Sequence, residues 1–110
     1  MGHTVREHQG VIVVALEGDI DLDHSPEVRE LLLAQVAKGH DVLVDLSGVA
    51  YIDSSGIASL IEGLQSARRG SLRFELVALS DQAMRVLKLA RLDKVFTIHD
   101  TLESAMAVVA

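Results

Sequence analysis

Short runs of β-branched and aliphatic residues alternate along this chain with segments whose apolar residues recur at helical spacing. The run Val11–Leu16, VIVVAL, predicts a buried strand, and Thr4–His8 is predicted to pair with it through a turn at Gln9-Gly10. The next predicted strand, Asp41–Leu46, is expected to end at a turn at Ser47-Gly48. The later predicted strands are Leu72–Leu79 and Lys94–Ile98. Strands that alternate with helices form mostly parallel sheets with right-handed crossovers, so this order limits the chain to an α/β fold.

The starts of the helices are predicted from their capping residues as well as from apolar spacing. Ser25 followed by Pro26 indicates a helix start, with Ser25 as the N-cap and Pro26 in the first helical position. Ser80 is predicted to cap the third helix, and Asp100 with Glu103 has the spacing of a capping box at the last helix. The predicted order is β-β-α-β-α-β-α-β-α, in a small, mixed, mostly parallel sheet with about four helices.

The composition narrows the classes of function that the chain can serve. Its 110 residues provide for one domain, residues 1–110, and the apolar share of 49% is enough for a core. Cysteine is absent, which excludes disulfides and thiolate zinc sites. The formal net charge is −6 and the only adjacent basic pair is Arg68-Arg69, so nucleic acid is not an expected partner.

The pattern of hydropathy predicts a protein that does not enter the membrane. No apolar run approaches the ~20 residues that a membrane span needs. The N-terminal segment, MGHTVREHQG, is polar and lacks the apolar stretch of a signal peptide. We therefore expect a soluble, cytoplasmic, acidic domain with no direct membrane insertion.

A group of small polar residues, Asp53, Ser54, Ser55 and Gly56, stands where an apolar strand gives way to a helical pattern. Asp and Ser are the usual N-caps and Gly allows a tight turn, so spacing alone favours a simple helix cap. The same residues are predicted to lie in a loop at the carboxyl end of a strand, where sheets of this type carry interaction sites. A phosphate on a serine there would add roughly −1.5 to −2 charges at pH 7. From the residues alone, a cap and a phosphorylation switch both remain open.

Catalysis and metal binding are less well supported by the sequence. A serine nucleophile needs a base and an oxyanion hole, but the chain has no G-x-S-x-G elbow and its five histidines are scattered. Asp19, Asp21 and Asp23 alternate, and Glu30 falls at the twelfth place of a calcium loop counted from Asp19. However, His24 stands where such a loop needs glycine. We predict a solvated loop for these carboxylates, and no catalytic residue or metal site.

Four short motifs occur in order along the chain: G-D-I-D, V-D-L-S-G-V, Y-I-D-S-S-G at a helix start, and L-x-x-A-R-L-D. From about Val11 to Val109 the sequence resembles the STAS domain, and specifically the stand-alone bacterial anti-sigma-factor antagonists. The resemblance implies a small β-sheet wrapped by helices and a non-enzymatic, partner-switching role. In that family, the unphosphorylated antagonist binds a serine-kinase anti-sigma factor with a histidine-kinase-like ATPase fold, which then releases its sigma factor. Phosphorylation by the kinase ends the interaction, and a PP2C-type phosphatase restores it.

The functional residues of the family match this chain position by position. The resemblance implies that Ser54 is the phosphorylated residue, that Asp53 is the aspartate preceding it, and that Ser55 and Gly56 shape the loop. Asp21 matches an aspartate that lies near the same end of the sheet in this family. No cofactor is expected because the ATP belongs to the kinase. The predicted partner-binding residues are Asp21, Asp23, Asp53, Ser55, Gly56 and Ile57.

The family also includes domains that act without phosphorylation. The alternative interpretation is a STAS subunit of a phospholipid ABC transport complex, which binds its partners constitutively. The motif of those subunits more often departs from D-S-S-G, so the intact run Asp53–Gly56 favours the switch.

Overall fold

A mixed sheet of five strands runs through the molecule. In the computed structural model, which describes residues 1–107, the strands are β1 Gly2–His8, β2 Val11–Ile20, β3 Val42–Ile52, β4 Phe74–Val77 and β5 Ile98–His99. The helices are α1 Ser25–Ala37, α2 Ser54–Arg69, α3 Asp81–Leu89 and α4 Leu102–Met106. The strands lie in the order β1-β2-β3-β4-β5, with β1 antiparallel to β2 and the other pairs parallel. The predicted fold class and element order are confirmed, while the predicted end of the last helix, Val108–Val109, lies outside the described residues.

The hairpin between β1 and β2 turns where the sequence predicts. Gln9 has φ 53° and Gly10 has φ 83°, so both residues adopt the left-handed backbone conformation. Two consecutive residues of this kind match the right-handed twist of the flanking strands. The hairpin therefore brings the polar N-terminal segment alongside the buried run Val11–Leu16.

Apolar side chains cover both faces of the sheet. On one face, Val14 and Leu16 of β2 belong to a core cluster that also holds buried residues of α1, α2 and α3. On the other face, Val11 and Leu43 pack in a smaller cluster with Ala105 of α4. Because successive side chains of a strand point to opposite faces, one continuous apolar run supplies both clusters.

β3 extends further than the sequence predicts. The turn expected at Ser47-Gly48 is wrong, since the strand continues to Ile52 beside β2. The pairing of β2 with β3 shifts register between Ala15 and Glu17 and again between Gly18 and Asp19. Such irregularities, like β-bulges, place extra residues in one strand, so the chain can continue as a strand through Ser47-Gly48 without a turn. At Gly48 a Cβ would stand 2.9 Å from the Cβ of Glu17, so the glycine serves close strand packing.

The start of α1 is built differently from the prediction. Ser25 is buried within the first turn, and the N-cap position belongs to His24, whose side chain makes no capping hydrogen bond. Instead, the Asp21 carboxylate accepts hydrogen bonds from the backbone N–H of Asp23 at 3.1 Å and of His24 at 3.2 Å. The loop before the helix is thus held by Asp21, and the prediction of Ser25 as N-cap is wrong.

The other two predicted caps have different outcomes. Ser80 caps α3 as expected, since its hydroxyl accepts a hydrogen bond at 3.2 Å from the backbone N–H three residues on. The capping box of α4 consists of Thr101 and Ser104 rather than Asp100 and Glu103. The motif begins one residue later than predicted because Thr101 has the extended backbone that an N-cap requires.

A charged network ties α4 to β4 and β5. Arg73 donates hydrogen bonds to Glu75 Oε1 at 2.8 Å and to the backbone carbonyl of Ala105 at 2.6 Å. His99 Nε2 lies 2.8 Å from the same Glu75 oxygen. Burial raises the pKa of the Glu75 carboxyl, but the hydrogen bonds with Arg73 and His99 outweigh burial and hold this pKa below its ordinary value of 4.5.

Gly63 lets α2 lie close to β4. A Cβ at Gly63 would stand 2.6 Å from Cζ of the buried Phe74 ring. Gly63→Ala is therefore expected to lower the free energy of unfolding by about 1–3 kcal/mol, measured by urea denaturation. Helix propensity alone predicts the opposite, that Gly63→Ala raises the free energy of unfolding by about 1 kcal/mol. The control Gln65→Ala, at an exposed site of the same helix, should change the stability by no more than about 0.5 kcal/mol.

The lowered pKa of Glu75 predicts how stability depends on pH. The folded state favours the ionised carboxylate, so its contribution is present above pH 4.5 and is lost as the pH falls through the lower folded pKa. Glu75→Gln should reduce stability at pH 7 and should flatten the loss of stability below pH 4.5. Urea denaturation of both proteins at pH values from about 7 down to about 3 measures the difference between their unfolding free energies. An unfolding free-energy difference that stays constant over this range would contradict the role of Glu75.

Candidate functional site at the start of α2

The site lies where β2 and β3 end side by side. Ile20 and Ile52 are paired in the sheet, and the backbone N–H of Asp53 donates a hydrogen bond to the Ile20 carbonyl at 3.3 Å. The chain then enters α2 at Ser54, while the chain after β2 passes through Asp21 into α1. The predicted location of this segment, in a loop at the carboxyl end of a parallel strand, is therefore correct.

Asp53 is the N-cap of α2. Its Oδ1 atom accepts hydrogen bonds from the backbone N–H of Ser55 at 2.9 Å, from that of Gly56 at 3.3 Å, and from the Ser55 hydroxyl at 2.6 Å. The Ser55 hydroxyl is the largest cause that lowers the pKa of Asp53, and the two amides add to it against opposing effects of burial and of the nearby Asp21 charge. Asp53 is thus ionised at neutral pH and compensates the unpaired amides at the helix start.

The two serines of the motif have different environments. Ser55 is half-buried and its hydroxyl is held by Asp53. Ser54 is exposed, and its hydroxyl makes no hydrogen bond to any residue between 1 and 107. The cap and the free hydroxyl therefore belong to different residues: Asp53 and Ser55 form the cap, and Ser54 is accessible from solvent.

Gly56 and Ile57 turn towards the core. A Cβ at Gly56 would stand 2.7 Å from Ile52 Cγ1 and 2.9 Å from the Ile20 carbonyl oxygen, so this position requires glycine. Ile57 is 5% exposed and belongs to the main core cluster. Its predicted place among the partner-binding residues does not fit this burial, and the next residue, Ala58, is the exposed one.

Further carboxylates lie in the loop after β2, near Asp53. Burial raises the pKa of Asp21, but the hydrogen bond with His24 Nδ1, at 2.7 Å, and two backbone amides outweigh burial and lower it. Asp21 is close enough to raise the pKa of Asp53 by charge repulsion. Asp23 is exposed in the same loop. This end of the molecule therefore carries several negative charges at neutral pH.

Three other residues at this end were not predicted from the sequence. Leu22 is 74% exposed between Asp21 and Asp23, and Tyr51 is 44% exposed near the end of β3. The position of Leu22 between two aspartates of a predicted loop is the sequence signal that could have identified it as exposed. Gln82 of α3 makes hydrogen bonds to the backbone of Ile52. No local pattern predicts that contact, because the two residues are 30 positions apart.

A shallow groove between α1 and α2 begins beside Ser55. Its volume is about 450 Å³, and Pro26, Ala58 and Ile61 contribute to its walls. An ion pair between Arg29 and Glu62 joins the two helices along the groove. The groove extends the accessible surface from Ser55 along both helices.

Residues 1–107 contain neither a membrane-spanning helix nor a cluster of metal-binding side chains. No helix in this range combines the length and the apolar character needed to cross a bilayer. In the same range, no three histidine, aspartate or glutamate side chains lie together in a way that could hold a metal ion.

Known proteins resemble this chain in sequence and in fold. A model of the STAS domain matches residues 3–105. Over 104 residues, covering 94% of this chain and 84% of the relative, the sequence is 34% identical to the anti-sigma-F factor antagonist RsfB of Mycobacterium tuberculosis. The crystal structure of an anti-sigma factor antagonist from Mycobacterium paratuberculosis superposes with a TM-score of 0.84 at 30% identity, covering 96% of this chain and 90% of the other.

SpoIIAA of Bacillus shares the fold at lower sequence identity. Its unphosphorylated form gives a TM-score of 0.82 at 16% identity, covering 99% of this chain and 100% of SpoIIAA. Its phosphorylated form gives 0.74 at 17% identity, covering 96% of each chain. At this identity the likeness concerns the fold alone. The match of the family model over residues 3–105, together with the relatives above, shows that this chain belongs to the STAS domain family.

Proposed function

We propose that this chain is a partner-switching anti-sigma-factor antagonist without enzymatic activity, controlled by phosphorylation of Ser54. When unphosphorylated it binds a serine-kinase anti-sigma factor with a histidine-kinase-like ATPase fold. Phosphorylation of Ser54 by that kinase ends the interaction, and a PP2C-type phosphatase restores it. A kinase that draws on cellular ATP acts in the cytoplasm, so we assign the chain to that compartment.

The difference between the two serines carries the proposal. Ser54 is exposed, while the hydroxyl of Ser55 donates a hydrogen bond to Asp53 at 2.6 Å. A kinase requires a hydroxyl that it can approach, and only Ser54 of this pair offers one. Because Asp53 and Ser55 cap the helix without Ser54, the hydroxyl of Ser54 is free to serve as an acceptor.

Charge explains how a phosphate on Ser54 would act on a partner. The phosphate would add roughly −1.5 to −2 charges at pH 7. The Asp53 carboxylate already occupies the amides of Ser55 and Gly56, which would otherwise stabilise an anion at the helix start. The new charge therefore stands among carboxylates and repels an acidic partner surface. A repulsion on the order of 1–3 kcal/mol lowers an affinity about ten- to hundredfold.

The relatives support the same role. Relatives that exceed 30% identity over most of the chain, among them proteins of Mycobacterium tuberculosis and Listeria monocytogenes, are anti-sigma factor antagonists by name. The fold also tolerates phosphorylation, since SpoIIAA is known in a phosphorylated form. No comparable observation favours the alternative, a non-phosphorylated STAS subunit of a phospholipid ABC transport complex. A gene for an ATPase of the histidine-kinase-like fold beside this one, rather than an ABC permease operon, distinguishes the two.

The direct test is phosphorylation in vitro. The wild-type chain is incubated with Mg-ATP and the kinase encoded nearest to its gene, and its intact mass is measured. We expect one added phosphate on the wild type and none on Ser54→Ala. Ser55→Ala is the matched control, which should still accept one phosphate at Ser54. A phosphate that persists on Ser54→Ala and disappears on Ser55→Ala would assign the modification to Ser55 and contradict the proposal.

Binding to the same kinase tests the switch itself. Ser54→Ala is expected to bind with the affinity of the unphosphorylated wild type, since its exposed side chain is not part of the cap. Ser54→Asp places a negative charge beside Asp53 and should weaken binding by about tenfold or more. Isothermal titration calorimetry measures both affinities. Equal affinities of the two variants, with unfolding free energies within about 0.5 kcal/mol of the wild type, would rule out an electrostatic switch at Ser54.

A further inference from the structure

Within residues 1–107, the end of β3 has no neighbouring strand on the side of α3. β4 pairs with β3 only from Val42 to Asp45, whereas β3 continues to Ile52. At Ile52 the partner is a side chain: the backbone N–H of Ile52 donates to Gln82 Oε1 at 2.9 Å, and Gln82 Nε2 donates to the Ile52 carbonyl at 3.5 Å. A glutamine amide has both a donor and an acceptor, so it replaces the peptide unit of an absent strand.

This contact holds the segment that leads into the candidate site. Ile52 is followed directly by Asp53, whose backbone N–H is bonded to Ile20 on the opposite side of the strand. The backbone before Ser54 is therefore fixed between β2 on one side and Gln82 on the other. Ile52 also lies against Gly56 of α2, where a Cβ would stand 2.7 Å from Ile52 Cγ1. A displacement of Ile52 would move both the N-cap and the first turn of α2.

We propose that Gln82 is a positioning residue for the switch at Ser54. Its side-chain amide sets the position of Ile52, and through Ile52 and Asp53 it sets where the Ser54 hydroxyl stands relative to a docked kinase. The hydrogen bonds of Gln82 reach Ile52 rather than Ser54, so the effect is indirect. This inference rests on the proposed function and adds α3 to the elements on which phosphorylation depends.

A purely structural role for Gln82 predicts a different result. If the amide only satisfied the polar groups of Ile52, its loss would lower the stability of the chain without altering the reaction of the folded protein. Positioning predicts a loss in the chemical step, because phosphoryl transfer requires the acceptor oxygen to be aligned with the phosphate. The hydrogen bonds of Gln82 go to Ile52 and not to the exposed loop of Leu22 and Asp23, so docking of the kinase should persist.

The experiment uses three variants of the full chain. Gln82→Met keeps a similar volume and helix propensity but removes both hydrogen bonds. Gln82→Glu keeps an acceptor for the Ile52 N–H and removes the donor. Gln65→Met, at an exposed position of α2, is the matched control. Thermal denaturation identifies a temperature at which all four proteins are folded.

Hydrogen exchange, resolved by residue with NMR, measures the contact in the chain alone. We expect the Ile52 amide to exchange about tenfold faster in Gln82→Met than in the wild type, because its acceptor is lost. In Gln82→Glu and in Gln65→Met the rate should stay within about threefold of the wild type. An Ile52 amide that exchanges at the wild-type rate in Gln82→Met would overturn the proposal, because Gln82 would then not hold Ile52.

Steady-state phosphorylation with Mg-ATP and the kinase encoded nearest to the gene measures the consequence. Gln82→Met should lower kcat about tenfold and change KM by less than about threefold, while Gln65→Met should match the wild type. Equal kcat in Gln82→Met and the wild type would contradict positioning and would show that Gln82 has only a structural role. A wild type that accepts no phosphate at Ser54 would instead overturn the proposed function, and with it this inference, even where the exchange result holds.

Discussion

The carboxylate of Asp53 is the interaction on which the site depends. One oxygen, Oδ1, accepts hydrogen bonds from two amides at the start of α2 and from the hydroxyl of Ser55. These bonds begin the helix immediately after β3, and they restrain one serine of the motif while the other stays exposed. Ser55 thus takes part in the helix cap while the hydroxyl of the adjacent Ser54 stays accessible, because Asp53 bonds the hydroxyl of Ser55 and not that of Ser54.

Close packing makes this arrangement rigid. Gly56 and Gly63 allow α2 to approach Ile52 and Phe74 more closely than any side chain would permit. Ile57 consequently points into the core, and the helix presents Ser54 and Ala58 outward. In the proposed switch, a charge added at Ser54 would therefore act through repulsion at the surface, with no rearrangement of the core beneath it.

Local patterns in the sequence were sufficient for the order of the elements, for the hairpin at Gln9-Gly10 and for the Ser80 cap, since each depends on neighbouring residues. Features set by distant residues were missed or misplaced. β3 passes through Ser47-Gly48 because β2 pairs with it there, and the inward direction of Ile57 follows from how α2 packs. The contact between Gln82 and Ile52 spans 30 positions, so no short motif could reveal it.

β1 ends the sheet on one side, and within residues 1–107 its outer edge has no strand beside it. An open edge is a template on which another chain can add a strand, and it is a common origin of aggregation. The exposed side chains of β1 include Arg6, Glu7 and His8, whose polarity disfavours such pairing. The same hairpin that shields one side of the buried strand β2 therefore also places polar side chains along an edge at which copies of the chain could otherwise pair.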